Sequence, residues 1–414
     1  MTQSATVVGG GPGGLMAAEV LASAGLVVTV YEHMPSVGRK LLLAGRSGLN
    51  ITHGEPIDDL LARYGAGADR LEEAVRTFGP KELRAWCASL DEATFVGSSG
   101  RVFPASWRAT PLLRSWLARL AGLGVRIEVG HRWKGWCTTA DGQVDARRSL
   151  FSRADASTVE VTSDVTVLAL GGASWPRVGS DGGWVGALRQ AGVEVSELRA
   201  ANCGIRVDWT AHFVEQFAGI PLKNVAIAVG ARSVRGDVMV TDTGIEGGPV
   251  YAHSAAIREA LDRDGRCALA IDLHPDLTID IISERLGRRR PKDSLGNSLR
   301  RTIGLTPVSV ALMREVTANR VPAGPDELAS LVKGVPLVIA ATMPIERAIS
   351  TAGGVALAEV DRSFMLRRLP GTFVAGEMLD WEAPTGGYLL QATFSTAVAA
   401  ARGALHWLDA GDER

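Results

Sequence analysis

The chain has 414 residues, 46% of them hydrophobic, which allows two to three domains at roughly 150 residues each and excludes a disordered tail or a small stapled scaffold. Forty-four Lys and Arg face 45 Asp and Glu, a net charge of −1, so there is no chain-wide electrostatic basis for holding nucleic-acid phosphates. Glycine stands out at 48 residues, about 12% where roughly 7% is usual, and its clustering suggests backbone packed closely against ligands.

The first elements read as strand, turn, helix, strand: Ala5-Thr6-Val7-Val8, a glycine cluster, Leu15 to Ala24, then Val27 to Tyr31. This is a βαβ unit of a parallel sheet. Gly38 to Gly54 is expected to be a long, functional Gly/Arg/Ser/Asn loop. Residues 58–122 read as largely helical, with breaks at Gly79-Pro80 and around Gly97 to Pro111, and Leu112, Leu113, Trp116, Leu117 and Leu120 mark one amphipathic helix. Val125 to Val129, Thr158 to Val161 and Val165 to Leu170 are expected strands, the last running into Gly171-Gly172.

Beyond Gly186 the texture changes. Gly204 to Asp208, Val225 to Val229 and Val238 to Thr241 are short strand-like pieces of a β-rich domain, and from about Pro275 to Gly334 the chain turns helical. That segment includes the basic run Arg288-Arg289-Arg290, expected to be a solvated helix face. The last 60 or so residues recover the glycine clusters of the start, so the first domain resumes there around an insertion. The division expected is 1–190 and 351–414 for one domain in two parts, 191–274 with 335–350 for a β-rich substrate domain, and 275–334 for a helical insertion.

The turn Gly9-Gly10-Gly11-Pro12-Gly13-Gly14 holds G-x-G-x-x-G at Gly9, Gly11 and Gly14. It follows a strand and opens a helix, the setting in which a pyrophosphate meets free helix N–H groups. Glu32 closes the second strand 18 residues after Gly14, where a carboxylate accepts from a ribose diol. The motif alone leaves NAD and FAD open. Near the end, Gly371 to Glu377 reads as a strand closing on Gly376 and Glu377, and Gly386-Gly387-Tyr388 leads a second helix from Leu389 to Ala401. A carboxylate for a polyol hydroxyl and a helix start for an anionic ring suit FAD; NAD has no ribitol.

Further motifs extend this pattern: Gly38-Arg39-Lys40 with Asn50-Ile51-Thr52, Gly100 to Pro104, Leu170-Gly171-Gly172, Gly179-Ser180-Asp181-Gly182, Ala352 to Val355 with Glu359-Val360-Asp361, and Ala375-Gly376-Glu377 through Gly386-Gly387-Tyr388 to Gln391. In this set and order the chain resembles the HI0933-like, or BaiN-like, bacterial FAD-dependent oxidoreductases. The resemblance implies an α/β fold: a discontinuous Rossmann-like FAD-binding domain with an inserted β-barrel-like domain and a small helical subdomain. It also implies FAD contacts at Gly9, Gly11, Pro12, Gly13, Gly14, Glu32, His33, Arg39, Lys40, Gly45, Asn50, Arg132, Trp133, Gly171, Gly172, Asp181, Gly376, Glu377, Gly386, Gly387, Tyr388 and Gln391.

Departures from the family pattern are local. G-G-G-R-C-N is here Gly45-Arg46-Ser47-Gly48-Leu49-Asn50, which excludes a thiol role at Leu49. T-H-x-G-L-S-G-P is Thr241 to Gly248 without the histidine and serine, and G-G-Y-N-L-Q is Gly386 to Gln391 with Leu389 in place of Asn. A different substrate is implied if the missing residues select it.

No C-x-x-x-x-C dithiol and no second strand with G-x-G-x-x-G is present. Electrons are therefore expected from an organic substrate or from a visiting NAD(P)H, with O2 or NAD(P)H as redox partner. The seven histidines lack metal-ligand spacing, so no metal is expected, and only His53, at the end of the glycine-rich loop, stands apart. Cys87, Cys137, Cys203 and Cys267 form no C-x-x-C and are expected to be reduced thiols. No signal-like start is seen, and the longest apolar run, Val335 to Ile345, is broken by Pro336 and Pro344. The expectation is a cytoplasmic enzyme holding FAD non-covalently, moving a hydride at flavin N5 to or from a small molecule. An amine-oxidase-like enzyme, an NAD(P)H-driven reductase of an activated C=C bond and a flavin-bearing sensor all remain open, with no general base or oligomeric state assigned.

Overall fold

The computed structural model describes residues 2–46, 48–288 and 294–412. The chain forms two compact units, Met1–Arg199 with Ser350–Arg414, and Ala200–Ile349.

At the centre of the first unit is a parallel sheet of β1 (Ser4–Val8), β2 (Val27–Glu32), β3 (Arg126–Val129), β4 (Val165–Leu168) and β5 (Thr372–Val374), in the order β5-β4-β1-β2-β3. All four pairings are parallel. Ala5, Val7 and Val8 of β1 and all of β4 are buried, without the alternation of a one-sided sheet, as strands covered on both faces require. Strands are added first on one side of β1 and then on the other. The topological switch point therefore lies between β1 and β4, and ligands of such sheets bind outside the carboxyl ends there.

α1 (Pro12–Ser23) crosses from β1 to β2; Pro12 stands in its first turn, where no amide hydrogen is needed. α2 (Arg39–Ala44) occupies part of the stretch expected to be loop. Its six residues are bounded by Gly38 at φ 70° and by Gly45, too short a run for periodicity to register, and it is anchored through buried Leu41. α3 (Tyr388–Asp412) packs along α1. A Cβ built on Gly13 of α1 or on Gly376 after β5 would meet Thr393 Cγ2 of α3, at 3.3 Å and 3.2 Å. The N-terminal turns of both helices are thus brought to the same edge of the sheet.

Within the largely helical expectation for 58–122, the helices are Ile57–Ala62, Ala68–Thr77, Pro80–Ala88 and Ala109–Gly122. One break in that pattern is itself structured: Thr94–Val96 and Arg101–Pro104 pair with each other and with Thr52–His53. A second antiparallel sheet joins His131–Thr138, Val144–Arg153 and Thr158–Thr162, of which the sequence marked only the last strand.

A buried carboxylate ties α1 to the helices behind it. Glu19 accepts from Trp86 Nε1 at 3.1 Å, Trp116 Nε1 at 2.6 Å and Arg119 at 3.0 Å. Glu19→Ala strands two indole N–H groups and is expected to cost about 3 kcal/mol, read as a lower midpoint in urea unfolding. A midpoint within error of wild type would contradict this role.

In the second unit, Ile205–Arg206, Gly244–Glu246, Arg232–Thr241, Pro221–Val229, Cys267–Asp272 and Val335–Ile339 form an antiparallel sheet in that spatial order. Arg206 N donates to Ala341 O at 3.0 Å and Met343 N to Gly204 O at 2.8 Å, curling the last strand's continuation back onto the first. Between Asp272 and Val335 lie the helices Ile279–Gly287, Leu295–Ile303, Pro307–Val316 and Pro325–Lys333. Of the basic run, Arg288 pairs with Glu284 one turn earlier; Arg289 and Arg290, like Ser47 of the glycine-rich loop, lie outside the described residues. Among the described residues no helix is long and apolar enough to cross a membrane, and no cluster of three or more His, Cys, Asp or Glu could hold a metal.

Candidate functional site

The carboxyl ends of the five parallel strands gather most of the residues singled out by sequence. At the end of β1, Gly9 has φ 105°, and a Cβ there would lie 2.3 Å from Ala169 O, just beyond β4. A Cβ on Gly14 would lie 1.9 Å from Gly9 O, whereas one on Gly11 would meet nothing within 4 Å. Gly9 and Gly14 are therefore fixed by close backbone packing, and Gly11 by nothing within the protein. Gly11 is also the N-cap of α1, which has no side-chain cap, so no side chain of the protein takes up the first-turn amides.

Glu32, at the end of β2, is buried and accepts from Gly10 N at 2.8 Å and Met34 N at 2.7 Å. These two amides hold the carboxylate beside the glycine turn, with lone pairs to spare on each oxygen. His33 Nδ1 lies 3.2 Å from Glu32 Oε1. Burial lowers the His33 pKa below the ordinary imidazole value, more than the Glu32 charge raises it, and buried Nε2 has no hydrogen-bond partner among the described residues. Past β3, Arg132 pairs with Asp181 at 2.7 Å; burial opposes ionisation of the aspartate, but the bonds from Arg132 and Gly183 N, with the Arg132 and His33 charges, together lower its pKa. Trp133 is buried, edge-on to Trp136 with ring centroids 4.9 Å apart. His33, Arg132, Trp133 and Asp181 all line one small hollow.

A second cluster lies beyond β4 and β5. Lys40 Nζ donates to Glu377 Oε2 at 2.7 Å and to Ser174 Oγ at 2.7 Å. Glu377 also accepts from Gly172 N at 3.3 Å and Thr351 N at 3.0 Å. Gly171 O accepts from Trp184 Nε1 and Gly376 O from Trp381 Nε1, each at 2.9 Å, so both tryptophans serve the core. Arg39 reaches Ser36 Oγ at 3.3 Å, its Nε and Asn50 Oδ1 are buried without a partner among the described residues, and Gly45 packs on Ala109.

The third cluster surrounds the start of α3. Gly387, at φ 93°, approaches Thr52 so closely that a Cβ would sit 2.5 Å from its carbonyl; Gly386 is at φ 141°. Tyr388 is buried against His53, ring centroids 5.3 Å apart, and its hydroxyl engages Glu55, which Arg63 also binds at 2.8 Å. Burial and the Glu55 charge push the Tyr388 phenol above its usual range. Burial opposes ionisation of Glu55, but the bonds from Arg63 and Tyr388 prevail and lower its pKa. Gln391 is fully buried, accepting from Thr52 Oγ1 at 2.6 Å and donating to Phe78 O at 2.8 Å and Ser395 Oγ at 3.0 Å. Its amide is committed within the protein.

Sequence reading did not single out Ser174 as a partner of Lys40, nor Thr351, Glu55 or Arg63. None carries a motif, and Ser174 meets Lys40 across 134 residues. The one usable signal was position: Glu55 and Arg63 closely follow His53.

Residues 3–403 match the HI0933-like protein Rossmann domain family. The chain belongs to the HI0933-like family. It is accordingly an oxidoreductase of the FAD-dependent class. Among characterised proteins it is similar to the 3-dehydro-bile acid delta(4,6)-reductase of Clostridium scindens, 26% identical over 96% of this chain and 98% of that one. Among solved structures this HI0933-like chain resembles the 3-ketosteroid delta1-dehydrogenase of Sterolibacterium denitrificans, with TM-score 0.54 and 14% identity over 98% of this chain and 99% of that one. It also resembles the 3-ketosteroid-delta4-(5alpha)-dehydrogenase of Rhodococcus jostii RHA1, with TM-score 0.51 and 15% identity over 97% and 95%. These two likenesses show the shared fold.

Proposed function

We propose that the protein binds one FAD non-covalently along the carboxyl edge of the parallel sheet and reduces a C=C bond conjugated to a carbonyl in a small organic molecule. The net reaction joins the enone, NAD(P)H and a proton to give the saturated ketone and NAD(P)+. When bound, FAD supplies the hydride acceptor and donor at flavin N5. The observation carrying the cofactor assignment is the uncapped α1 N terminus opening on free space at Gly11, between backbone positions too tight for any side chain. The unpartnered buried atoms of His33, Arg39 and Asn50 beside the same strand ends and glycine-rich segment fit a polar ligand there. The choice of a reductase rests on the named activity of the Clostridium scindens relative.

The roles divide along the edge. Gly9, Gly11, Pro12, Gly13 and Gly14 form the pyrophosphate turn, and Glu32 accepts from the adenosine ribose. His33, Arg132, Trp133 and Asp181 flank the adenine end. Arg39, Lys40, Gly45, Asn50, Gly171, Gly172, Gly376 and Glu377 surround the ribitol; Gly386, Gly387 and Tyr388 meet the pyrimidine end of the ring. Gln391 orients the start of α3 through Thr52.

Anaerobic mixing tests this. NAD(P)H is expected to bleach the flavin absorption and an enone to restore it. Bleaching by an amine alone, with colour restored by O2, would make the protein an oxidase, and failure of every donor to bleach it would leave a flavin-bearing sensor.

A further inference from the structure

Three aromatic rings on the first unit have no part in the roles above. Phe95 and Phe103 are directly opposed on the paired strands Thr94–Val96 and Arg101–Pro104, and Trp107 lies in the turn before helix Ala109–Gly122. Ring centroids are 4.5 Å apart for Phe103 and Trp107, 5.6 Å for Phe95 and Trp107, and 5.9 Å for Phe95 and Phe103, with planes inclined by 19°, 15° and 30° respectively. Apolar groups of this size normally turn inward, yet Phe95 is 40% and Trp107 45% exposed. Trp107 is also held at φ 67°, a backbone region a bulky residue enters only at an energetic cost.

The wall is fastened to the glycine-rich segment that bears Lys40 and Asn50. Leu49 N donates to Trp107 O at 2.9 Å, and a Cβ on Gly48 would lie 2.8 Å from Trp107 Nε1. Any side chain at position 48 would displace the indole. The glycine and the tryptophan therefore act as one unit that keeps near-parallel rings exposed beside the proposed cofactor segment.

We propose that Phe95, Phe103 and Trp107 form a stacking surface for a flat, conjugated ring, which makes the substrate class planar cyclic enones rather than open-chain ones. This rests on the flavin-reductase reading above. Near-parallel rings offer a flat ligand contact over a whole face, by dispersion and offset stacking, and offer a flexible chain much less.

Equilibrium dialysis of the purified holoenzyme against coumarin, a flat fused-ring enone lactone, and mesityl oxide, an open-chain enone, tests the proposal. The ratio of coumarin to mesityl oxide affinity is expected to fall about tenfold in Trp107→Ala and to stay within about threefold of wild type in Trp107→Phe. Phe95→Ala, outside the strained turn, is expected to lower the same ratio about threefold and serves if Trp107→Ala does not fold. An unchanged ratio in folded Trp107→Ala and Phe95→Ala overturns the proposal. So does a shift from dimer to monomer in sedimentation with coumarin binding intact, which would assign the wall to a second copy of the chain. A wild-type protein that purifies without flavin yet keeps the preference for coumarin, and loses it in Trp107→Ala, would overturn the reductase reading and leave the stacking surface standing.

Discussion

Gly11→Val is expected to give a folded protein that carries no FAD. A Cβ at Gly11 meets nothing within 4 Å, and the residue's φ of −80° and ψ of −179° suit a β-branched side chain. The apoprotein should therefore stay within about 0.5 kcal/mol of the wild-type apoprotein in stability. What valine fills is the space before the free α1 amides, where the pyrophosphate is assigned. Gly14→Val, three residues on in the same motif, should behave differently. Its Cβ would lie 1.9 Å from Gly9 O and 3.3 Å from Val7 Cγ1, and since backbone cannot step aside cheaply, the β1 to α1 crossing must open at a cost above about 3 kcal/mol. Circular dichroism melts of the apoproteins and flavin stoichiometry after gel filtration separate the two. A Gly11→Val protein that keeps its full flavin content would remove the pyrophosphate from this turn.

Lys40→Met is the second large effect expected. Glu377 is mostly shielded from water, with Lys40 and two backbone amides as its partners. Removing the cation leaves a carboxylate with no counter-charge, and a loss of about 2 kcal/mol is expected after allowing for the partial exposure of the pair. The melting temperature should fall by roughly 5 °C, together with FAD retention. Adding Glu377→Gln to Lys40→Met should recover part of the stability, because the uncompensated charge is then gone. Equal melting temperatures for the single and double variants would show that the loss does not come from the uncompensated carboxylate.

The parts of the fold legible in the sequence are those set by short-range constraints. Gly9, Gly11 and Gly14 sit between a buried strand and a helix because a turn that tight admits little else, and the same backbone economy marked Gly386 and Gly387. Strands such as Val165–Leu168 declare themselves by being apolar throughout. Val144–Arg153 does not, since exposed Arg147 and half-buried Arg148 interrupt its alternation. α2 was hidden by its length, and Thr94–Val96 and Arg101–Pro104 by turns that read as helix breaks. The candidate site was legible as a set of positions and not as a set of contacts. Lys40 and Glu377 meet across 337 residues and Thr52 and Gln391 across 339, and no local pattern encodes such a meeting. Trp107 against Gly48 is a similar case: the sequence shows only a glycine in a glycine-rich loop, and the fold supplies the indole that requires it.

The most direct test of the cofactor assignment is the visible spectrum of the purified protein, followed by chromatography of what heat denaturation releases. A yellow protein yielding one FAD per chain in the soluble fraction, with none left on the polypeptide, is the result predicted. A colourless protein, or one releasing only a nicotinamide dinucleotide, would contradict the assignment of the sheet's carboxyl edge to a flavin.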